Sequence, residues 1–249
     1  MEIQLSELLL EIAHCPNILA CFHDRTRSHP CRRIIESQKS PSADVHQVPE
    51  PWSGKLSEAP LLFVSSNPSI SETDHYPLPS WGDEEVKAYF GDRFEKWITD
   101  GRYTRQQDGS YSRAVPFWNE VRGRATELYE RTVKPGKDYA LTEVVHCKSR
   151  NNKGVEAALT ECVDRYLPRV LSCSNATVIV ALGKFVKQIL TDTLGIPRDT
   201  RVYGPTEVSG KIRHIVFLAQ PNSNQPRRFS AVVSAEELAE LRSALKKAP

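Results

Sequence analysis

Short, almost wholly apolar segments alternate along this chain with stretches of helical length. Residues 61–64 (LLFV) and 177–182 (TVIVAL) are the clearest of these segments, and each ends at a turn. An apolar run of this length predicts a strand that is buried on both faces. Because strands that alternate with helices favour a mainly parallel sheet covered by helices, we predict an α/β fold with three αβα layers. In such a sheet, the functional loops follow the carboxyl ends of the strands.

The predicted elements span most of the chain. The predicted strands cover residues 61–64, 139–147, 177–182 and 212–219, and the predicted helices cover residues 4–14, 83–99, 118–131, 155–172, 184–194 and 234–247. Ser234 and Glu237 match a helix-capping box. Residues 38–60 contain four prolines, which predicts an irregular extended segment. We therefore expect an N-terminal helix and Cys-rich arm over residues 1–59, packed on an α/β domain over residues 60–249.

The charge balance narrows the classes of function. The chain carries 33 Lys and Arg residues against 31 Asp and Glu residues, a formal net charge of +2, which excludes a strongly basic nucleic-acid coat protein. Basic residues still cluster, as in residues 148–153, and such a cluster fits either an enzyme that holds a short stretch of phosphate backbone or a solvated surface. The N-terminus carries acidic residues among its leucines, so it predicts an amphipathic helix rather than a signal peptide. We expect a soluble, cytoplasmic, monomeric protein with no membrane partner.

Three polar turns follow predicted strands. The first, V-S-S-N-P-S, places Asn67 before a proline, and the third, A-Q-P-N-S, places Gln220 before a proline. Between them, a predicted strand ends in Cys147, a basic loop follows, and Cys162 lies on the next predicted helix. The sequence contains no P-loop, G-x-G-x-x-G or G-x-S-x-G motif, which counts against nucleotide-binding enzymes and α/β hydrolases.

Together these turns resemble the pocket-building segments of the uracil-DNA glycosylase superfamily, and they are most similar to those of its iron–sulfur families. The resemblance covers the chain from residue 60 to residue 230, apart from residues 72–113. It implies the fold of that superfamily and a DNA-repair enzyme that hydrolyses the N-glycosidic bond of uracil, or of another damaged base, flipped out of DNA. An asparagine–proline turn taken alone is also common as a plain turn.

The resemblance assigns roles to individual residues. Asn67 would be catalytic, because its amide can orient a water beneath C1′ of an oxocarbenium-like sugar. Phe117 would stack on the flipped base, unless it is a core aromatic. The base-binding residues implied are Ser66, Phe117, Glu143 and Gln220. The residues implied to contact DNA are Ser65, Lys148, Arg150, Ser223, Asn224, Arg227 and Arg228.

Two positions depart from the family pattern. Glu143 stands where the family carries an Asn that reads uracil, and an ionised carboxylate can only accept hydrogen bonds. Glu143 is therefore protonated by burial, or reads a base edge rich in donors, or belongs to a site that has lost catalysis, or is simply paired with a nearby Lys or Arg. Gln220 stands where histidine is usual, although its amide can still donate toward a base O2. These departures keep open a second function on the same fold, a non-catalytic binder of abasic or single-stranded DNA.

The resemblance also implies a cofactor. Members of the iron–sulfur families use two N-terminal cysteines together with the pair that Cys147 and Cys162 match. One 4Fe–4S cluster would then be held by four of the five residues Cys15, Cys21, Cys31, Cys147 and Cys162. The alternatives are a set of buried thiols, or a zinc site that uses His29. Disulfides are not expected in a cytoplasmic chain.

Overall fold

The computed structural model of the protein describes residues 2–24 and 28–247. Its strands are β1 (Trp52–Ser53), β2 (Leu61–Ser65), β3 (Ile98–Thr99), β4 (Tyr103–Thr104), β5 (Tyr139–Glu143), β6 (Val178–Leu182), β7 (Val202–Val208) and β8 (Lys211–Leu218). Its α-helices are α1 (Glu2–Ala13), α2 (Pro16–His23), α3 (Arg32–Glu36), α4 (Asp83–Gly91), α5 (Pro116–Tyr129), α6 (Val155–Cys173), α7 (Lys184–Leu194) and α8 (Ala235–Lys246).

A six-stranded sheet forms the centre of the fold, with the strand order β1–β5–β2–β6–β8–β7. The four inner strands are parallel, whereas the edge strands β1 and β7 run antiparallel to their neighbours. The short strands β3 and β4 pair with each other as a separate two-stranded sheet. This arrangement confirms the predicted α/β class and the mainly parallel sheet.

Alternate residues of the inner strands pack against two different helical layers. On β2, Leu62 and Val64 join a core that includes residues of α1, α6 and α7. Leu61 and Phe63 point to the other side, where they join a core with α5 and α8. Successive side chains of a strand point to opposite faces, so both faces of the sheet are covered. The fold is therefore compatible with three αβα layers.

The observed elements differ from the predicted ones at two informative places. Strand β5 ends at Glu143, four residues earlier than predicted, although the amides of Val144 and Val145 still donate to the carbonyls of Ser65 and Ser66 at 3.0 Å. The predicted helix over residues 83–99 is α4 followed by a π-helical turn at Arg93–Trp97. That turn directs the Arg93 side chain into the protein, where it pairs with a buried acid.

The N-terminal residues are integrated into the domain. Helix α1 packs against α4 and α6, α3 packs against α6, and β1 extends the sheet by pairing Trp52 with Thr142. Helix α2 lies in the Cys-rich arm, for which the sequence predicted no helix beyond the N-terminal one. Residues 3–23 reach the length and mean hydropathy, 1.3, of a membrane-spanning helix. In the fold, these residues belong to the two helices α1 and α2.

Candidate functional site

A cavity of about 580 Å³ lies at the carboxyl ends of β2 and β5 and beside the loop that follows β8. Its lining includes Asn67 from the turn after β2, Glu143 at the end of β5, Gln220 after β8 and Phe117 from the first turn of α5. The fold thus brings into one cavity four side chains that are far apart in the sequence. Ser65 and Ser66 also line it.

The amide of Asn67 is held in a fixed orientation. Its Nδ2 donates to Ser149 Oγ at 2.9 Å and to the Pro68 carbonyl at 3.0 Å. Its Oδ1 accepts from Ser66 Oγ at 3.4 Å. Since an amide oxygen has two lone pairs, Oδ1 keeps one acceptor position for a further donor. The arrangement is suited to orienting a water molecule at the cavity wall.

Glu143 has one carboxyl oxygen that no protein group satisfies. The side chain is 3% exposed, and Oε1 accepts from Ser65 Oγ at 3.4 Å. Oε2 has no hydrogen-bond partner among residues 2–24 and 28–247. Burial raises the pKa of Glu143 well above its usual range, and the negative charge of Glu50 raises this pKa further. A neutral carboxyl group offers one O–H donor as well as acceptors, so Glu143 can present both to a ligand.

The cavity lining also includes a buried ion pair that sequence reasoning missed. Glu50 and Arg93 are 2% and 5% exposed, and Arg93 Nη1 pairs with Glu50 Oε1. Ser53 Oγ accepts from Arg93 at 2.9 Å and donates to Glu50 at 3.0 Å. The Arg93 guanidinium also lies 5.5 Å from the centre of the Tyr76 ring. No sequence pattern marks these residues, because Glu50 lies in the proline-rich segment and Arg93 in a predicted helix.

Lys148 lies in the same cavity instead of on the surface of the basic loop. It is 2% exposed, and its Nζ is 3.5 Å from the centre of the Tyr76 ring. Within the described part of the chain, its ammonium group forms no ion pair and no hydrogen bond. Burial lowers the pKa of Lys148 to about 8. Its predicted contact with a DNA phosphate is therefore not favoured by its position.

The parts of the cavity lining that carry Phe117 and Gln220 are connected to each other. Phe117 is half-buried, and it packs edge to face on Trp118 at 5.5 Å. Gln220 leans over the turn after β6, where a Cβ on Gly183 would lie 2.3 Å from Gln220 Oε1. The φ of Gly183 is +93°, a conformation that favours glycine. On α5, the Glu127 carboxylate accepts from the amides of Phe229 and Ser230 at 3.0 and 2.8 Å. Glu127 thereby joins the helix of Phe117 to the segment that follows Gln220.

The residues that were predicted to contact DNA lie partly in the interior of the protein and partly on its surface. Ser65 is buried beneath the cavity, and Arg150 pairs with Glu72. Arg227 pairs with Glu120 at 3.5 Å and donates to the Pro221 carbonyl at 2.8 Å. A second, open cavity of about 660 Å³ adjoins the first at Asn222, and its lining includes Ser223, Asn224, Arg227 and Arg228.

The five predicted cysteine ligands are all buried in one region of the fold. Burial, with the neighbouring Cys15 and Cys21, raises the pKa of the Cys31 thiol to about 12. Burial raises the pKa of Cys162 to about 12 as well, and Cys162 Sγ accepts from the His146 amide at 3.4 Å. Within residues 2–24 and 28–247, however, no group of three or more His, Cys, Asp or Glu side chains is arranged to hold a metal ion. The donor set is present, but its geometry is not that of a coordination site.

Neither a scan against protein-family models nor a search of curated proteins found a match to this chain.

Proposed function

We propose that the protein is a DNA glycosylase with a uracil-DNA glycosylase-type fold, which hydrolyses the N-glycosidic bond of uracil or another damaged base flipped out of DNA. The observation that carries this proposal is the convergence of Asn67, Phe117, Glu143 and Gln220 in a single cavity. An extruded base needs such a recess, because enzymes that act on a base inside DNA take it out of the stack.

Each side chain has a place in the proposed reaction. The Phe117 ring stacks on the base, a contact worth about 1–3 kcal/mol. Glu143 and Gln220 hydrogen-bond to the base edge, and Gln220 donates toward the oxygen that gains negative charge as the base leaves. Asn67 Oδ1 accepts from a water and directs it to C1′ as the sugar becomes oxocarbenium-like. Donors placed where charge develops stabilise the transition state more than the ground state.

DNA would be held at the rim of the cavity. Asn224, Arg227 and Arg228 are exposed around the second cavity, where backbone phosphates can reach them. Contacts of this kind fix the register of the strand without reading its sequence. The affinity for DNA should therefore fall as the salt concentration rises.

The 4Fe–4S cluster remains a prediction. If it is present, four of the five buried cysteines would hold it, and it would fasten the N-terminal helices to the loop after β5. The thiols would have to lose their protons to bind iron. Anaerobically purified protein should then be brown, with visible absorption, whereas a colourless and metal-free preparation would remove the cluster from the proposal. No step of the proposed reaction passes through the cluster.

An excision assay tests the proposed activity directly. Single-stranded and duplex oligonucleotides carrying uracil, hypoxanthine or an alkylated base are incubated with the protein, and abasic sites are cleaved with alkali. The wild type should generate abasic sites, and Asn67→Ala should lower the rate by about 100-fold or more. Wild-type protein that leaves the whole panel intact would contradict the proposal.

The departures at Glu143 and Gln220 favour a second candidate function, a non-catalytic binder of abasic or single-stranded DNA. A gel-shift comparison of abasic and intact oligonucleotides separates the two candidates. Preferential binding of abasic DNA, together with no excision from any substrate, would support the binder.

A further inference from the structure

The sheet determines the separation of two polar side chains in the cavity. Glu143 ends β5, Gln220 follows β8, and the strands between them are β2 and β6. Gln220 leans over Gly183 at the end of β6, which leaves two strand spacings, about 10 Å, between it and β5. That span accommodates one base ring with a hydrogen bond on each side. Lys148 also lines the cavity, and the charges of Glu50, Asp74 and Glu143 act on its ammonium group.

Within residues 2–24 and 28–247, no side chain accepts a hydrogen bond from the Lys148 ammonium group. Of the three carboxyl groups whose charges act on it, Glu50, Asp74 and Glu143, two are engaged elsewhere. Glu50 pairs with Arg93 and Ser53. Asp74 Oδ1 accepts from Thr104 Oγ1 at 3.1 Å and from Gln106 Nε2 at 2.9 Å. Among the described residues, the Tyr76 ring makes a direct cation–π contact with the Lys148 ammonium group, and the charges of Glu50, Asp74 and Glu143 act on it without an ion pair. A buried cation with unused donors is costly to the fold, and such groups cluster at functional sites.

We propose that Lys148 is a specificity-determining residue that donates to a carbonyl oxygen of the extruded base and excludes bases that carry an amino group at that position. The inference rests on the proposed function, because it assumes that the cavity receives a base. It replaces the phosphate contact that the sequence suggested for Lys148.

The hydrogen-bonding capacity of the ammonium group determines which bases Lys148 would favour. Lys has three donors and no acceptor, so it can satisfy a carbonyl oxygen but not an amino group. With Glu143 beside it accepting from a ring N–H, the pair matches a base that has a carbonyl next to that N–H. Uracil, hypoxanthine and guanine have this edge, whereas cytosine and adenine present an amino group next to an unprotonated ring nitrogen. A donor facing a donor in a water-poor site leaves both unpaired.

Binding without bond cleavage tests this inference separately from catalysis. The probes are two single-stranded oligonucleotides that contain one 2′-fluoroarabino nucleotide each, with either uracil or cytosine, because the fluorine prevents loss of the base. A third oligonucleotide carries a tetrahydrofuran abasic analogue as the reference. The wild type should bind the uracil probe about 100-fold more tightly than the cytosine probe.

The variants identify Lys148 as the source of this ratio. Lys148→Gln provides an acceptor as well as a donor, and we expect it to reduce the ratio to below about 10. Lys148→Met keeps the stem on Tyr76 without any donor, and it should also reduce the ratio. The control is Lys153→Gln, an exposed position in the same loop, which should leave the ratio unchanged. Thermal melts establish that each variant is folded.

The outcomes separate the two proposals. A wild type that binds both base probes equally, or neither more tightly than the abasic reference, would overturn the role of Lys148. An unchanged ratio in Lys148→Gln and Lys148→Met would also overturn it, even if the protein excises uracil. A wild type that excises nothing but keeps a ratio that depends on Lys148 would contradict the glycosylase proposal and support this inference.

Discussion

Breaking the buried pair of Glu50 and Arg93 should be among the most destabilising single changes in this protein. Both side chains are almost fully excluded from solvent, and Ser53 bonds to both of them. Glu50→Gln leaves the Arg93 guanidinium buried without its counterion, which costs about 3–5 kcal/mol. At roughly 2–4 °C per kcal/mol for a chain of this size, Tm should fall by roughly 6–20 °C.

Urea unfolding followed by far-UV circular dichroism measures the cost through a double-mutant cycle. We expect Glu50→Gln and Arg93→Met each to cost about 3–5 kcal/mol, and the double variant to cost clearly less than their sum. The matched control is Arg169→Met, since Arg169 pairs with Glu11 at 2.7 Å but is largely exposed. Such a surface pair contributes about 0–1 kcal/mol. If Arg93→Met costs no more than Arg169→Met, or if the two single effects simply add, the reasoning is refuted.

Three further predictions concern groups in the cavity. Because the folded-state pKa of Glu143 lies above the unfolded value of 4.5, its stabilising effect is complete below that value and is lost as pH rises. Glu143→Gln should therefore gain stability relative to the wild type between pH 4 and pH 8 in paired urea titrations, and a constant difference would contradict the raised pKa. Burial lowers the pKa of Lys148 from 10.5 to about 8. The free energy of unfolding of the wild type should therefore rise by about 3 kcal/mol between pH 8 and pH 10.5, relative to Lys148→Met. Parallel pH profiles for the two proteins would contradict the lowered pKa. Phe117→Ala should weaken binding of a base-bearing probe by roughly 5- to 150-fold while affinity for abasic DNA stays the same, and equal losses for both would argue against stacking.

The sequence was informative about the fold where local patterns are strong. The apolar runs that became β2 and β6 are buried at every position, and the capping box of Ser234 and Glu237 is present at the start of α8. Strand β7 was not predicted, because most of its residues are partly or fully exposed and a glycine–proline pair interrupts it. Helix α2 is only eight residues long, too short for a clear helical period.

Predicting the site was possible only in part. Glu143 is the last residue of a strand, whereas Asn67 and Gln220 follow strands, and the topology of a parallel sheet brings such positions to one edge. The burial of Lys148 could not be predicted, because a lysine in a basic loop is normally expected on the surface. Its contact with the Tyr76 ring is visible only in the structure. The pairing of Glu50 with Arg93 links residues from two irregular parts of the chain, and no local pattern records such a contact.

The hydrogen bonds that Glu127 accepts from the backbone of Phe229 and Ser230 join the helix that carries Phe117 to the segment that follows Gln220. The helix and this segment cannot move apart without breaking the two hydrogen bonds that the Glu127 carboxylate accepts from backbone amides. If the cavity adapts to a nucleotide, we therefore expect the change in another part of the lining, to which residues 71–112 contribute Ser71, Thr73, Asp74, Thr104, Gln106 and Ser112. That part combines side-chain hydrogen bonds to Asp74 with backbone hydrogen bonds such as the one from the Gln107 amide to the Thr73 carbonyl, at 2.8 Å.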